Sequence, residues 1–250
     1  MANESASLIQ HSISGSSFGY SAADIDYLAE NGSTEYTLVT LLVDESPSVG
    51  DFKTEMEDCI KKAIEACKMS PRVDYLMVRL VAFSRSLREI HGFKELSSID
   101  ISDYTDCLRI SGSTALFDAS VNCIEATCAY GKDLVANDFD VNAIVILVTD
   151  GMDNASSNAS SDVSNSLKKV KKEESLESLL SILVGVGVRD YHGVSDYLDN
   201  FKQDAGITQY IELKDADEKT LAKLADFISR SVSSQSQNLG TGNCSVPLNI

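Results

Sequence analysis

The stretch Tyr36–Phe52, YTLVTLLVDESPSVGDF, decides how this chain is read. Every position from Tyr36 to Val43 is apolar or β-prone, the composition of a strand covered on both faces. The run stops at Asp44. Ser46, Ser48 and Gly50 follow, and a helix-like pattern begins after them. An interior strand that ends in a carboxylate and two hydroxyls must place those oxygens at its exit, because burying each without a partner costs roughly 1–3 kcal/mol. Alternate side chains of Asp-x-Ser-x-Ser can be aimed at one point. Such a set of oxygens suits a hard divalent cation, which Mg²⁺ exemplifies with near-octahedral oxygen ligands at about 2.0–2.1 Å.

Downstream, Phe52, Met56, Cys59, Ile60, Ala63, Ile64 and Cys67 recur at three and four, predicting one face of a helix over Asp51–Met69 that Ser70-Pro71 stops. Val73–Phe83 reads as a strand with alternation around Arg79, and Ser86–His91 as another. The turn between them is too short for a crossover, so they must be antiparallel. Thr114 precedes a predicted helix over Ala115–Tyr130, with Gly131 as its stop. Asn142–Thr149, NAIVILVT, is a second unbroken apolar run, and it ends at Asp150-Gly151. A polar helix at Asp162–Glu174, a strand at Leu179–Val188, a helix at Val194–Ala205, a strand at Thr208–Leu213 and a helix at Glu218–Ser231 complete the pattern.

Alternating strands and helices predict an α/β chain with a doubly wound, Rossmann-like fold. Its sheet is expected to be mostly parallel and six-stranded, with one antiparallel edge strand and helices on both faces. In such folds ligands sit at the carboxyl ends of strands. If the two apolar runs are neighbours, Asp44 and Asp150 enter the same crevice. Residues 1–35 read as a Ser-rich, loosely docked extension in which Ser21 caps a short helix to Glu30. Residues 36–232 form the domain, and 233–250 a tail.

Composition narrows the function classes. The 250 residues are 43% apolar, enough for a sizeable core, and the formal charge is −17, from 38 acidic and 21 basic side chains. That balance argues against binding nucleic acid or an anionic membrane surface. The first 20 residues have neither a basic start nor a long apolar stretch, and no segment is long enough to span a bilayer. Six cysteines, at 59, 67, 107, 123, 128 and 244, show no zinc spacing. A cytoplasmic, reducing location is the expectation. Sequons at Asn31, Asn154, Asn158 and Asn243 are what a Ser- and Asn-rich chain produces by composition. Gly185-Val186-Gly187 lacks the third glycine of a dinucleotide fingerprint. His11, His91 and His192 are dispersed, and Asp190 and His192 read as loop residues.

Each metal-type residue taken singly has an ordinary reading. Thr114, Ser46 and Ser48 could cap helices, and Asp-Gly is a common turn. Taken together, the residues carry a resemblance. Asp44, Ser46 and Ser48 after the first apolar strand, Thr114 in SGSTALFDA and Asp150 in LVTDGMDN resemble the metal-ion-dependent adhesion site of von Willebrand factor type A domains. The likeness covers about residues 36–232 and is greatest to intracellular bacterial and archaeal members. It implies Mg²⁺, or Mn²⁺ or Ca²⁺, held by Asp44, Ser46, Ser48, Thr114 and Asp150, with one position left for a Glu or Asp of a protein partner. Glu45 is expected to point away from the ion, and Asp153 to tune the rim.

The resemblance implies a non-enzymatic adaptor or assembly subunit. Relatives of this kind act beside AAA+ ATPases, chelatases, stress-response proteins, kinases and phosphatases. Two alternatives stand beside it. One is a metal-assisted hydrolase at the same site, with Glu45, Asp153 or His192 as the base. The other is a metal-independent scaffold in a larger complex.

Overall fold

The computed structural model describes residues 7–13, 19–30, 32–173, 176–188, 193–239, 241 and 247–250. Both unbroken apolar runs are central strands. β3 (Glu35–Asp44) and β6 (Asp140–Thr149) lie side by side and parallel, with Val43 opposite Val148. β4 (Leu76–Phe83) flanks β3 on its other side, and β7 (Leu179–Val186) and β8 (Gln209–Leu213) continue beyond β6, all parallel. β5 (Leu87–Glu95) returns antiparallel to β4, as the short turn requires.

The period-2 alternation of β3 divides its side chains between two cores. Tyr36, Leu38 and Leu42 join α3 (Leu116–Val135), α4 (Ser160–Glu173) and α5 (Val194–Ala205) on one face. Val39, Leu41 and Val43 join α2 (Lys53–Lys68) and α6 (Glu218–Asn238) on the other. Every β3 residue from Tyr36 to Asp44 is buried, as expected of a strand sandwiched between helix layers. Local signals set the helix limits. A 3-10 turn at Pro47–Phe52 leads into α2, Asp217 accepts from the Thr220 N–H at the start of α6, and Gly206 at φ 74° ends α5.

Among the described residues the sheet has eight strands rather than six, in the order β1-β2-β5-β4-β3-β6-β7-β8. The two additional strands come from the N-terminal segment expected to be loosely docked. β1 (Leu8–Ser12) and β2 (Gly19–Ala23) are antiparallel to each other, and β2 pairs in parallel with β5, Ala22 opposite Phe93. Ser21 is therefore a strand residue and not a helix cap, and α1 (Ile25–Glu30) starts after it. Contacts remote in sequence decide this. Ser21 donates from its N–H to Glu89 Oε1 at 2.9 Å, and its hydroxyl donates to the same oxygen. Tyr20 packs edge-on to Phe93 and Tyr130, and the Tyr130 hydroxyl donates to the Ala23 carbonyl at 2.9 Å.

Three further features follow from the packing. Arg79, around which β4 alternates, is buried. It bonds Glu89 at 2.6 Å and Asn122 at 3.2 Å, so its charge is satisfied inside. α6 runs to Asn238, past the predicted end at Ser231. Its buried Gln235 accepts from Asn142 Nδ2 at 2.6 Å through its carbonyl and donates to the Ala143 carbonyl at 3.0 Å. Cys59, Cys67, Cys107 and Cys123 are free and buried, Cys128 is buried beside Glu173, and burial pushes the Cys59 and Cys67 thiols up to about 12. Asn31, Glu174, Asp190, His192, Asn243 and Cys244 lie outside the described residues. No helix among the described residues is long and apolar enough to cross a membrane.

Candidate metal centre

The pairing of β3 with β6 brings two acidic strand ends together. One step past the Val43–Val148 pair, the Thr149 hydroxyl donates to Asp44 Oδ2 at 2.6 Å. The Ser46 N–H donates to Asp44 Oδ1 at 2.8 Å, turning the chain sharply at the strand exit. Both carboxylate oxygens of Asp44 are thereby fixed. The turn sets the Ser46 and Ser48 hydroxyls 3.1 Å apart, and Ser48 donates to Asp150 Oδ1 at 2.9 Å. Asp44, Ser46, Ser48 and Asp150 thus form one continuous hydrogen-bonded chain, although Asp150 is remote from the other three in sequence.

Thr114 reaches the same place through backbone. The Ala115 N–H donates to the Ser84 carbonyl at 2.8 Å, fastening its loop to the end of β4. The Thr114 N–H donates to Asn154 Oδ1 at 2.8 Å, and the Asn154 N–H returns a bond to the Thr114 carbonyl at 2.9 Å. A Cβ placed on Gly151 would stand 3.9 Å from Thr114 Oγ1, so the threonine hydroxyl faces the backbone next to Asp150.

Two buried carboxylates set the electrostatics of this cluster. Asp44 is 1% exposed and Asp150 2%. Burial and then the neighbouring Asp44 charge push the Asp150 carboxyl up to about 6. Burial also raises Asp44, against the bonds from Thr149 and Ser46. Asp150 Oδ2 is buried without a hydrogen-bond partner. Arg88 is engaged by Glu45. No cluster of three or more His, Cys, Asp or Glu suited to a metal occurs among the described residues. The donor set is instead two carboxylates and hydroxyls, which fits a hard, oxygen-seeking ion and not zinc.

Glu45 does point away from this cluster. Its carboxylate accepts from Arg88 Nε at 3.3 Å, from Arg88 Nη2, and from the Arg109 N–H at 2.7 Å, while its carbonyl accepts from the Ser111 N–H at 3.0 Å. It therefore holds the loop that leads to Thr114. Asp153, expected to tune the rim, instead accepts from the Phe117 N–H at 3.2 Å and from Ser156, where it satisfies the first turn of α3. Three contributors escaped sequence reasoning: Thr149, Asn154 and the anchoring role of Glu45. Parallel register would have signalled Thr149, which falls beside Asp44 once the two runs are aligned. Nothing local signals Asn154.

No protein-family model matches the chain, and no curated protein does. Solved structures do match. One is the minor pilin PilB from Streptococcus sanguinis (D319A mutant), at TM-score 0.58 and 15% identity, over 82% of this chain and 62% of that one. A second is the pilus adhesin SpaC from Lactobacillus rhamnosus GG, at 0.58 and 12%, over 80% and 31%. A third is a von Willebrand factor type A structure from Catenulispora acidiphila, at 0.55 and 14%, over 86% and 44%. The chain thus spans less than two thirds of each of these proteins. At such identities the likeness is one of fold, and the fold is the Rossmann-like one of the von Willebrand factor type A structure.

Proposed function

We propose that this chain is a von Willebrand factor A-type interaction module. In this reading a divalent cation, Mg²⁺ or the related Mn²⁺ or Ca²⁺, is held by Asp44, Ser46, Ser48, Thr114 and Asp150. The observation that carries it is Asp150 Oδ2, buried without a partner beside a second buried carboxylate and two linked serine hydroxyls. Such an arrangement is costly unless a cation joins it. When bound, the cation supplies an electrophilic position that a carboxylate of another protein can occupy. Two carboxylates and neutral hydroxyls leave it less neutralised than an all-carboxylate cage would. Thr149 and the Ser46 N–H orient Asp44, Glu45 and Asn154 orient the Thr114 loop, and Ser48 positions Asp150. The partner is a protein that offers a Glu or Asp, and the chain acts as an adaptor or assembly subunit. The hydrolase reading has less support, because Glu45 and Asp153 are committed to structural bonds.

The test is thermal unfolding with MgCl₂ or EDTA, paired with capture from native lysate under the same conditions. Mg²⁺ at a hundred times its dissociation constant should stabilise the wild type by about 2.7 kcal/mol, and Asp44→Ala should remove that gain. Captured partners should be lost with EDTA and with Asp44→Ala alike. Partners retained in every condition would sink the adhesion-site reading and favour the metal-independent scaffold.

A further inference from the structure

The segment 105–114, which delivers Thr114 to the metal centre, borders a cleft of about 480 Å³ between β5 and the 3-10 turn Ile101–Tyr104. Five charged side chains line it, and four of them are compensated. Glu45 binds Arg88, and Arg79 binds Glu89. Lys94 lies 3.7 Å from Asp103, and Lys53 lies 3.2 Å from Asp106. Arg109 is the exception. It is exposed, and its side chain has no hydrogen bond or ion pair among the described residues.

Arginine pairing across the molecule singles out the same segment. Six arginines lie among the described residues. Arg72, Arg79, Arg88 and Arg230 each have a carboxylate partner. Arg85 and Arg109 have none among the described residues, in a chain with 38 acidic side chains. Both stand against the loop that ends in Thr114. A Cβ on Gly112 would lie 3.2 Å from the Arg85 backbone nitrogen and 3.4 Å from Arg85 Cβ. The Arg109 N–H donates to Glu45 at 2.7 Å, and the next residue, Ile110, reaches the Asp44–Ser48 side of the centre, its Cγ2 3.5 Å from a Cβ placed on Gly50. Two uncompensated guanidinium groups therefore flank the loops that carry Ser48 and Thr114.

We propose that the partner segment is a peptide acidic at two or more positions, with one carboxylate on the cation and a second held by Arg85 and Arg109. The first contact rests on the metal reading above; the second is carried by the arginines alone. A guanidinium presents a planar fork of donors that matches a carboxylate, and both forks are unoccupied by the chain's own acids. Charge complementarity also sets the orientation. The net charge of −17 repels an acidic segment over most of the surface, so the approach over this loop is the favoured one. The cleft beside Arg109 gives the second side chain room.

The experiment is a fluorescence-anisotropy titration of labelled hexaglutamate with the full chain in MgCl₂, with labelled hexaglutamine as the uncharged control. Saturable binding of hexaglutamate is expected, with a dissociation constant below about 1 mM, and none of hexaglutamine. Arg85→Glu combined with Arg109→Glu should weaken it at least about tenfold. Arg85→Lys with Arg109→Lys should weaken it less, because the charge stays and the fork is lost. Lys171→Ala with Lys172→Ala, on the basic end of α4, should leave it unchanged. All four side chains are exposed, so the variants retain the fold, which thermal unfolding verifies. EDTA and Asp44→Ala separate the two contacts. Weaker binding without metal but none of the loss in the arginine variants overturns this proposal and leaves the metal reading standing. Loss in the arginine variants with no response to EDTA supports the arginine contact and sinks the metal reading. Absence of saturation, or loss in the lysine variant instead, overturns the proposal.

Discussion

Asp150 is placed where an isolated carboxylate would not be. Its carboxyl is raised to about 6, from an ordinary 3.8, by burial and by Asp44. A carboxyl with a raised folded-state value favours the protonated form, so its contribution to stability is lost as pH rises from 3.8 through about 6. At neutral pH the ionised Asp150 therefore weighs against the fold when no cation is bound. Asp150→Asn should raise stability in EDTA at pH 7.5 by about 1 kcal/mol and abolish the gain from Mg²⁺. Urea unfolding with and without metal measures both effects. A loss of stability in EDTA would mean that the Ser48 bond outweighs the repulsion. The motif residues themselves were legible, because a carboxylate and hydroxyls at the mouth of an apolar strand need an explanation. Asp153 misled because proximity in sequence to Asp150 does not fix direction. Its carboxylate satisfies the Phe117 N–H in the first turn of α3, a partner that becomes visible only once α3 is placed.

At the scale of elements, the strands that read most plainly were those buried on both faces, β3 and β6, where composition alone separates interior from surface. The helices followed from period 3.6. β1 and β2 were missed, since LIQHS and GYSAA are short, polar in part, and edge-like. Their pairing rests on Glu89, Phe93 and Tyr130. It also rests on Gly92, where a Cβ would meet the Ser21 carbonyl oxygen at 2.0 Å and Ser21 Oγ at 2.2 Å. Gly92→Ala should push β2 away from β5, at a cost of about 1–3 kcal/mol. Hydrogen exchange should accelerate across Gly19–Ala23 while β3 and β6 keep their protection. Uniform acceleration would show that the N-terminal strands and the central sheet unfold as one unit.

For the whole molecule, acid sensitivity has an identifiable buried source. The ring of His91 lies between the Gly92 carbonyl, 2.9 Å from Nδ1, and the Tyr104 hydroxyl, 2.8 Å from Nε2. A carbonyl only accepts, so Nδ1 carries the proton and Nε2 accepts from Tyr104. Burial lowers the His91 value from 6.5 to about 4. A histidine buried neutral stabilises the fold fully above pH 6.5, and that contribution is lost as pH falls toward 4. The difference is about 3 kcal/mol. Unfolding free energy should decline across that window with a slope approaching one proton, and His91→Phe should flatten it. An unchanged slope in the variant would place the acid response in the carboxylates instead.

The sequence by itself determined the layer architecture, the two central strands and the identity of the oxygens at their ends. These follow from local periodicity and from the cost of burying polar groups, both of which are properties of short segments. Only the tertiary structure decided which strands are neighbours, and so that Asp44 and Asp150 share a crevice, that Glu45 and Asn154 secure the Thr114 loop, and that residues 8–23 contribute two strands. Each of these depends on contacts between residues far apart in the chain, whose free energy exists only once the sheet has closed around them.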